Sequence, residues 1–298
     1  MDINRANLNS LFIGFNKKLQ EGFGMADIVF ETFSMILPSS TAIEKYGWLL
    51  LLSRMREWIG PRQIKDIENK IMSLTNKDFE HTIGVAGNDI EDDTLGIYSP
   101  LFTQMGIDSR YLWQRLAVEA LYTNGNWMDD AAFFLTTRKY GSNTINNKVT
   151  TALSESTFET AFQTMEQYLG YDDSPLGVKP NLLVVGPKLR NTAWDIVENP
   201  YRYDSSDKVQ VANRNKDKVK VQVVPELVGT YDDYWFLMDC RGAVKPVALQ
   251  KRKEGTLQRW DTEHDECVKN HNRYDYGLHS RGVAGLTLPH LCYGGLKS

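Results

Sequence analysis

Apolar and polar positions recur along this chain with two periods, and the changes of period mark its elements. Leu8, Leu11, Phe12, Phe15 and Leu19 fall at helical spacing and predict an amphipathic helix over 7–19. Residues 28–37 (Ile-Val-Phe-Glu-Thr-Phe-Ser-Met-Ile-Leu) read as extended and are closed by Pro38-Ser39-Ser40. After Tyr46-Gly47-Trp48 and four leucines the chain turns charged at Arg54, Arg56 and Glu57 and passes Trp58-Ile59-Gly60-Pro61. It returns in charged alternation from Ile64 to Val85. This pattern predicts an extended two-stranded arm. Such a ribbon is marginally stable alone in water, so an arm of roughly 35 residues carrying Trp48 and Trp58 is expected to lie on another copy of the chain.

An acidic segment from Asn88 to Tyr98 follows, with Asp89, Glu91, Asp92 and Asp93 placed where a helix N-terminus favours negative charge. Ser99-Pro100 fits the N-cap and first position of a long helix. Its stripe is Leu101, Met105, Leu112, Leu116, Ala120 and Leu121, and Asn124-Gly125 ends it. About 24 residues at 1.5 Å each give a rod of roughly 36 Å. Residues 127–248 read as an α/β unit. Ser156 and Glu159 have capping-box spacing before the stripe Phe158, Ala161, Phe162, Met165 and Leu169. Leu182 to Val185 is a buried strand, and Gly186-Pro187 opens a helix that buries Leu189, Ala193, Ile196 and Val197. Lys208–Val211 and Val219–Val224 alternate around Asn213-Arg214-Asn215, which predicts a hairpin. Further strands are expected at Tyr234–Asp239, at Ala243–Leu249 and beyond Lys251.

The 298 residues carry a net charge of −4, so the whole chain is not an electrostatic nucleic-acid binder. The run Leu49–Leu52 ends at Ser53-Arg54, well short of the ~20 apolar residues of a membrane span. No signal-peptide pattern opens the sequence. Cys240, Cys267 and Cys292, odd in number and far apart, argue for a reducing compartment without a disulfide framework. The expectation is a soluble globular protein made inside the cell.

Candidate chemistry is sparse. His264, Asp265, Glu266, Cys267 and His271 are metal-competent, and a metal-dependent α+β enzyme built on His264, Cys267 and His271 is one alternative. Structural zinc sites use paired Cys or His spacings, and a single cysteine here favours an ordinary solvated turn. The carboxylates Asp89, Glu91, Asp92 and Asp93 splay around a helix and read better as dipole compensation, or as salt bridges to a neighbour, than as a cation site. The basic residues of 208–220 and 251–259 alternate with Asp207, Asp217 and Glu254, which favours solvated faces or subunit contacts over DNA binding. His81, His279 and His290 have no partners at telling spacing. Glycine-rich phosphate loops and nucleophile elbows do not occur. No catalytic residue, cofactor or metal is expected.

Several motifs carry a resemblance. Tyr46-Gly47-Trp48, Arg56-Glu57-Trp58-Ile59-Gly60, Asn76-Lys77-Asp78-Phe79-Glu80 and Asp89-Ile90-Glu91-Asp92-Asp93-Thr94-Leu95-Gly96-Ile97-Tyr98 occur in that order. They closely resemble the major head subunit (major capsid protein) of Mu-like phages and prophages. Lys179 to Pro187, Phe236 to Pro246, and Tyr276-Gly277-Leu278 with Arg281 and Ala284-Gly285 are similar to the same family, over roughly residues 38 to 295. The resemblance implies an α+β chain of the Hong Kong 97-type capsid fold. The parts would be an N-terminal arm at 1–45, an extended hairpin arm at 46–86, a peripheral domain at 87–126 and 249–298 with its spine helix, and an axial domain at 127–248. It implies a structural protein, not an enzyme, that self-assembles into hexamers and pentamers of an icosahedral head in the virion. The implied partners are portal, scaffold, maturation protease and packaged double-stranded DNA bound without sequence specificity. No membrane partner is implied, and synthesis would be in the host bacterial cytoplasm. An encapsulin-type compartment shares the fold and is the other alternative. Candidate inter-subunit contacts are Arg56, Glu57, Trp58 and Arg62 on the arm, with Asp89, Glu91, Asp92 and Asp93 on the acidic segment.

Overall fold

A computed structural model describes residues 3–46, 72–92, 95–170, 173–204 and 209–297. Arg56, Glu57, Trp58, Arg62 and Asp93 lie outside the described residues.

The first sheet is organised by one long strand, Arg273–Leu286. Along one edge it pairs antiparallel with Lys77–Ala86, from Arg273↔Ala86 to Gly282↔Lys77. Along the other it pairs with Leu257–Trp260 and then Val247–Lys253, to which Ser34–Pro38 adds in parallel. Tyr274, Tyr276, Leu278 and Ser280 alternate as buried positions and Asp275, His279 and Arg281 as outward ones, the period two of a sheet covered on one face. The cover is the helix Ser99–Thr123, whose Phe102, Met105, Trp113, Leu116 and Leu121 are buried. The N-terminal helix Arg5–Met25 lies across it, with Phe15 stacked on Phe102 at 4.0 Å and edge-on to Tyr276 at 5.3 Å.

The long helix differs from expectation at its start. Tyr98, not Ser99, is the capping residue, and Leu101 is 48% exposed, so the buried stripe begins one position later at Phe102. It ends as the sequence predicts, with Asn124 left-handed at φ 47°. The segment 28–37 also departs from the extended reading. Phe30–Phe33 is a single helical turn before the strand Ser34–Pro38, because two phenylalanines three apart reach the same core on a helix and opposite faces on a strand.

The second sheet runs Lys220–Val223, Leu182–Val185, Trp235–Met238, Cys292–Gly295, Lys148–Val149. Leu183, Val185, Trp235 and Leu237 pack under the helices Glu155–Glu166 and Arg190–Val197. Leu182, Val184, Phe236 and Met238 face the opposite way and join the core that holds Trp113, Leu121 and Leu249, so both sheets share one apolar interior. Cys292–Gly295 thus belongs to this sheet, while Val247–Lys253 and Arg273–Leu286 belong to the first, which splits the expected 249–298 unit.

Two local expectations are corrected. The hairpin around Asn213–Asn215 does not form: Val209–Ala212 pairs back with Tyr201–Asp204, and Lys220–Val223 runs parallel to Leu182–Val185. The asparagines serve other ends. The Asn213 amide donates to the carbonyls of Ile196 (2.9 Å) and Asn199 (2.8 Å), closing the end of the Arg190–Val197 helix, and buried Asn215 donates to Glu159 at 3.1 Å. Buried Val219 and Val224 then draw the strand between them into the sheet. The capping box lies two residues earlier than predicted. Ser154 Oγ accepts from Thr157 N (3.2 Å) and Thr157 Oγ1 from Ser154 N (2.8 Å), which leaves Glu159 for Asn215.

Candidate assembly surfaces

Ile43–Tyr46 and Met72–Thr75 pair antiparallel from Ile43↔Thr75 to Tyr46↔Met72. This short ladder, the root, brackets residues 47–71 in the sequence. The turn before it is held by Glu44. Its Oε1 accepts from the backbone N–H groups of Thr41 (2.9 Å) and Ser40 (2.8 Å) and from Ser39 Oγ (3.1 Å), which lowers the carboxyl to about 2. Beside the root a groove of about 450 Å³ is lined by Met72, Leu74, Ala120, Trp127, Phe133 and Leu286.

The acidic segment forms the short helix Gly87–Glu91. Asp89 turns back and accepts from the Tyr98 hydroxyl, a bond that raises the phenol. Glu91 and Asp92 are exposed. The predicted carboxylates therefore differ in exposure: Asp89 is half-buried against Tyr98, and Glu91 and Asp92 stand on the surface.

The His264–His271 segment is a capped turn and helix. Asp265 accepts from the backbone N–H (2.7 Å) and hydroxyl (2.8 Å) of Thr262, which lower its carboxyl, and Cys267 Sγ donates to the Trp260 carbonyl at 3.5 Å. Among the described residues no three His, Cys, Asp or Glu side chains gather as a metal site. Of the basic groups, Lys251 lies over the Trp113 ring at 4.8 Å, and Arg259 donates to Asn9 at 2.7 Å and covers Phe12 at 4.7 Å. Both of these charges serve internal packing.

Polar residues that the sequence reading passed over tie distant segments together. Arg5 pairs with buried Asp261 at 3.0 Å. Gln114, buried in the long helix, accepts from Val29 N and donates to Glu226, both at 2.9 Å. Arg138, fully buried, pairs with Asp129, donates to the Phe133 carbonyl at 3.2 Å and stacks on Trp127 at 4.9 Å. Trp127 Nε1 in turn donates to the Thr287 carbonyl at 2.6 Å. No local sequence signal marks these residues, because their partners lie far along the chain or in an irregular loop.

Comparison with known proteins accounts for this architecture. The model of the Mu-like prophage major head subunit gpT family matches residues 8–151, 139–227 and 226–297. The Mu-like prophage FluMu major head subunit of Haemophilus influenzae is 26% identical over 278 residues, covering 93% of this chain and 69% of that protein. The major capsid protein of Escherichia phage Mu is 38% identical over 106 residues, 36% of this chain and 35% of that one. Among solved structures, the procapsid of bacteriophage JBD30 superposes with a TM-score of 0.62 at 25% identity, covering 99% of this chain and 77% of that chain. A virus-like particle from Pyrococcus furiosus shares the fold at a TM-score of 0.54 and 12% identity, over 96% of this chain and 99% of that one.

Proposed function

The chain belongs to the Mu-like prophage major head subunit family, and on that premise we propose that its copies close into hexamers and pentamers around double-stranded DNA. It is a major capsid protein of the Hong Kong 97-type fold, a structural subunit of an icosahedral phage head and not an enzyme. Its activity is self-assembly, and its place is the virion.

The observation that supports the finer reading is the ladder Ile43–Tyr46/Met72–Thr75, whose two strands flank residues 47–71 as the root of a hairpin arm would. Heterologous contacts around a ring close when the rotation fits, and overlapping arms then add many weak contacts in parallel. In this reading the N-terminal arm ends at residue 42 and the root and extended arm span 43–76 rather than 46–86, because Lys77–Ala86 pairs within the first sheet. That sheet with the helix Ser99–Thr123 is the peripheral domain. The second sheet, with Cys292–Gly295 returned to it, is the axial domain. Arg56, Glu57, Trp58 and Arg62 of one arm meet the acidic segment of a neighbour, where Glu91 and Asp92 stand exposed. Portal, scaffold and maturation protease complete the head, which is made in the host bacterial cytoplasm.

Electron microscopy of the expressed full chain, alone and co-expressed with its neighbouring head genes, tests this. The expected result is closed shells of uniform diameter that hold nucleic acid after packaging. Monomers or irregular aggregates in both cases, or shells filled with protein cargo, would overturn it.

A further inference from the structure

The strand Val247–Lys253 carries a residue out of keeping with its surroundings. Val247, Ala248 and Leu249 are buried and apolar, and Gln250 beside them is buried and polar. An amide is buried at a loss unless its donors and acceptor find partners. Here all the partners lie at the arm root. Gln250 Oε1 accepts from the Tyr46 hydroxyl at 2.9 Å, and Nε2 donates to Asn76 Oδ1 at 2.8 Å and to the Leu74 carbonyl at 3.4 Å. Buried Asn76 extends the grip, its Nδ2 donating to Ser39 Oγ (3.0 Å) and the Thr41 carbonyl (2.9 Å). One side chain therefore holds the outgoing strand at its last described residue and the returning strand at its end.

The root also sits hard against the sheet. A Cβ on Gly285 would come within 2.6 Å of Leu74 Cδ2 and 2.9 Å of Met72 Cε. Met72 and Leu74 supply apolar contact, which is non-directional. Hydrogen bonds have a preferred geometry, and the amide is what distinguishes one orientation of the root from its neighbours. In the assembly reading above, a small rotation at the root would be carried outward along the arm.

We infer that Gln250 is a positioning residue for assembly: with Asn76 and Gly285 it fixes the direction in which the root presents residues 47–71 to a neighbouring copy. The inference rests on the reading that subunits assemble through the arm. Its test compares the full chain with Gln250→Met, Tyr46→Phe and a control, Val185→Ala, in the buried second sheet away from the root. Three quantities are measured: the melting temperature of unassembled subunit, hydrogen exchange of residues 43–46 and 72–75, and the yield of closed shells.

Losing three buried hydrogen bonds should speed exchange at the root about thirtyfold in Gln250→Met, and losing one about threefold in Tyr46→Phe. Both variants should lose more shell yield than Val185→Ala does for the same fall in melting temperature. Root exchange unchanged in Gln250→Met would overturn the inference. So would a shell yield that follows melting temperature alone across all three variants. A wild-type chain that makes no shells would defeat the assembly reading instead, while the exchange data would still decide whether Gln250 holds the root.

Discussion

Gly22 and Gly106 face each other where the N-terminal helix crosses the long helix. A Cβ on Gly106 would stand 2.2 Å from the Leu19 carbonyl oxygen, and one on Gly22 2.0 Å from that of Thr103. Both obstacles are backbone, so neither can rotate away. Close approach is what lets Phe15 reach Phe102 and Tyr276 beneath it.

That geometry predicts opposite signs for one substitution at two glycines of the same helix. Gly14 lies in the helix Arg5–Met25 with nothing near its missing Cβ. Gly14→Ala should stabilise the unassembled subunit by about 0.5–1 kcal/mol through helix propensity. Gly22→Ala gains the same propensity but must push two helix backbones apart, and overpacking of this kind costs about 1–3 kcal/mol. Thermal denaturation of the two variants checks this. A shift of the same sign in both would mean that the helices are not in contact at Gly22.

Arg138 supports the loop joining the long helix to the second sheet. Removing it leaves Asp129 without its cation, strips a donor from the Phe133 carbonyl and uncovers the Trp127 ring. Breaking a buried ion pair from one side costs about 3–5 kcal/mol, and the half-buried Asp129 puts this pair toward the lower end, at about 2–3 kcal/mol. Arg138→Ala should lower the urea midpoint accordingly with an unchanged slope, and a loss below about 1 kcal/mol would place the pair among weak surface contacts.

The same loop shows what the sequence made legible. Apolar periodicity exposes elements that bury one face, so the long helix, the Leu182–Val185 strand and the alternation of Val219–Val223 were readable. Strand partners were not, because Asn213 and Asn215 offer the turn chemistry of a hairpin and spend it on Ile196 and Glu159 instead. Arg138, Gln114 and Gln250 are polar residues in apolar surroundings, which a hydrophobic pattern registers only as interruptions. The acidic segment was readable as a cluster, but the half-burial of Asp89 beside exposed Glu91 and Asp92 depends on where Tyr98 lands.

His290 predicts a pH dependence. It is buried with neither ring nitrogen hydrogen-bonded among the described residues, and burial lowers its pKa from 6.5 to about 4. The folded state thus favours the neutral ring, while the unfolded chain binds a proton below about pH 6.5. Between those values the unfolded state holds more protons, so stability rises with pH from 4 to 6.5 and is level above. The whole effect is about 3 kcal/mol. His290→Leu keeps an apolar filling and removes the titration, so its stability should exceed wild type more at pH 5 than at pH 7.5. An equal difference at both values would show that the ring is reached by water.

The proposed contact between arm and acidic segment makes the last prediction, because a salt-bridged surface and a metal site respond oppositely to salt and chelator. Pairs between Arg56 or Arg62 and the exposed carboxylates Glu91 and Asp92 would lie at a subunit boundary open to solvent. Each such pair is worth at most about 1 kcal/mol, and charges separated by more than about 8 Å are screened at physiological ionic strength. Repetition over a shell turns that modest contribution into a bias on assembly. Trp58 would supply a different kind of contact in the proposed reading: a tryptophan at the centre of an interface can cost about 2 kcal/mol or more when truncated, and salt does not screen it. Asp92→Lys and Trp58→Ala should both leave the subunit's melting temperature unchanged and impair shell formation. Raising salt should weaken the wild-type shell and Trp58→Ala alike, while narrowing the gap between wild type and Asp92→Lys. Chelator should change nothing. Disassembly by chelator, reversed by calcium or magnesium, would assign these carboxylates to a cation and remove the arginines as their partners.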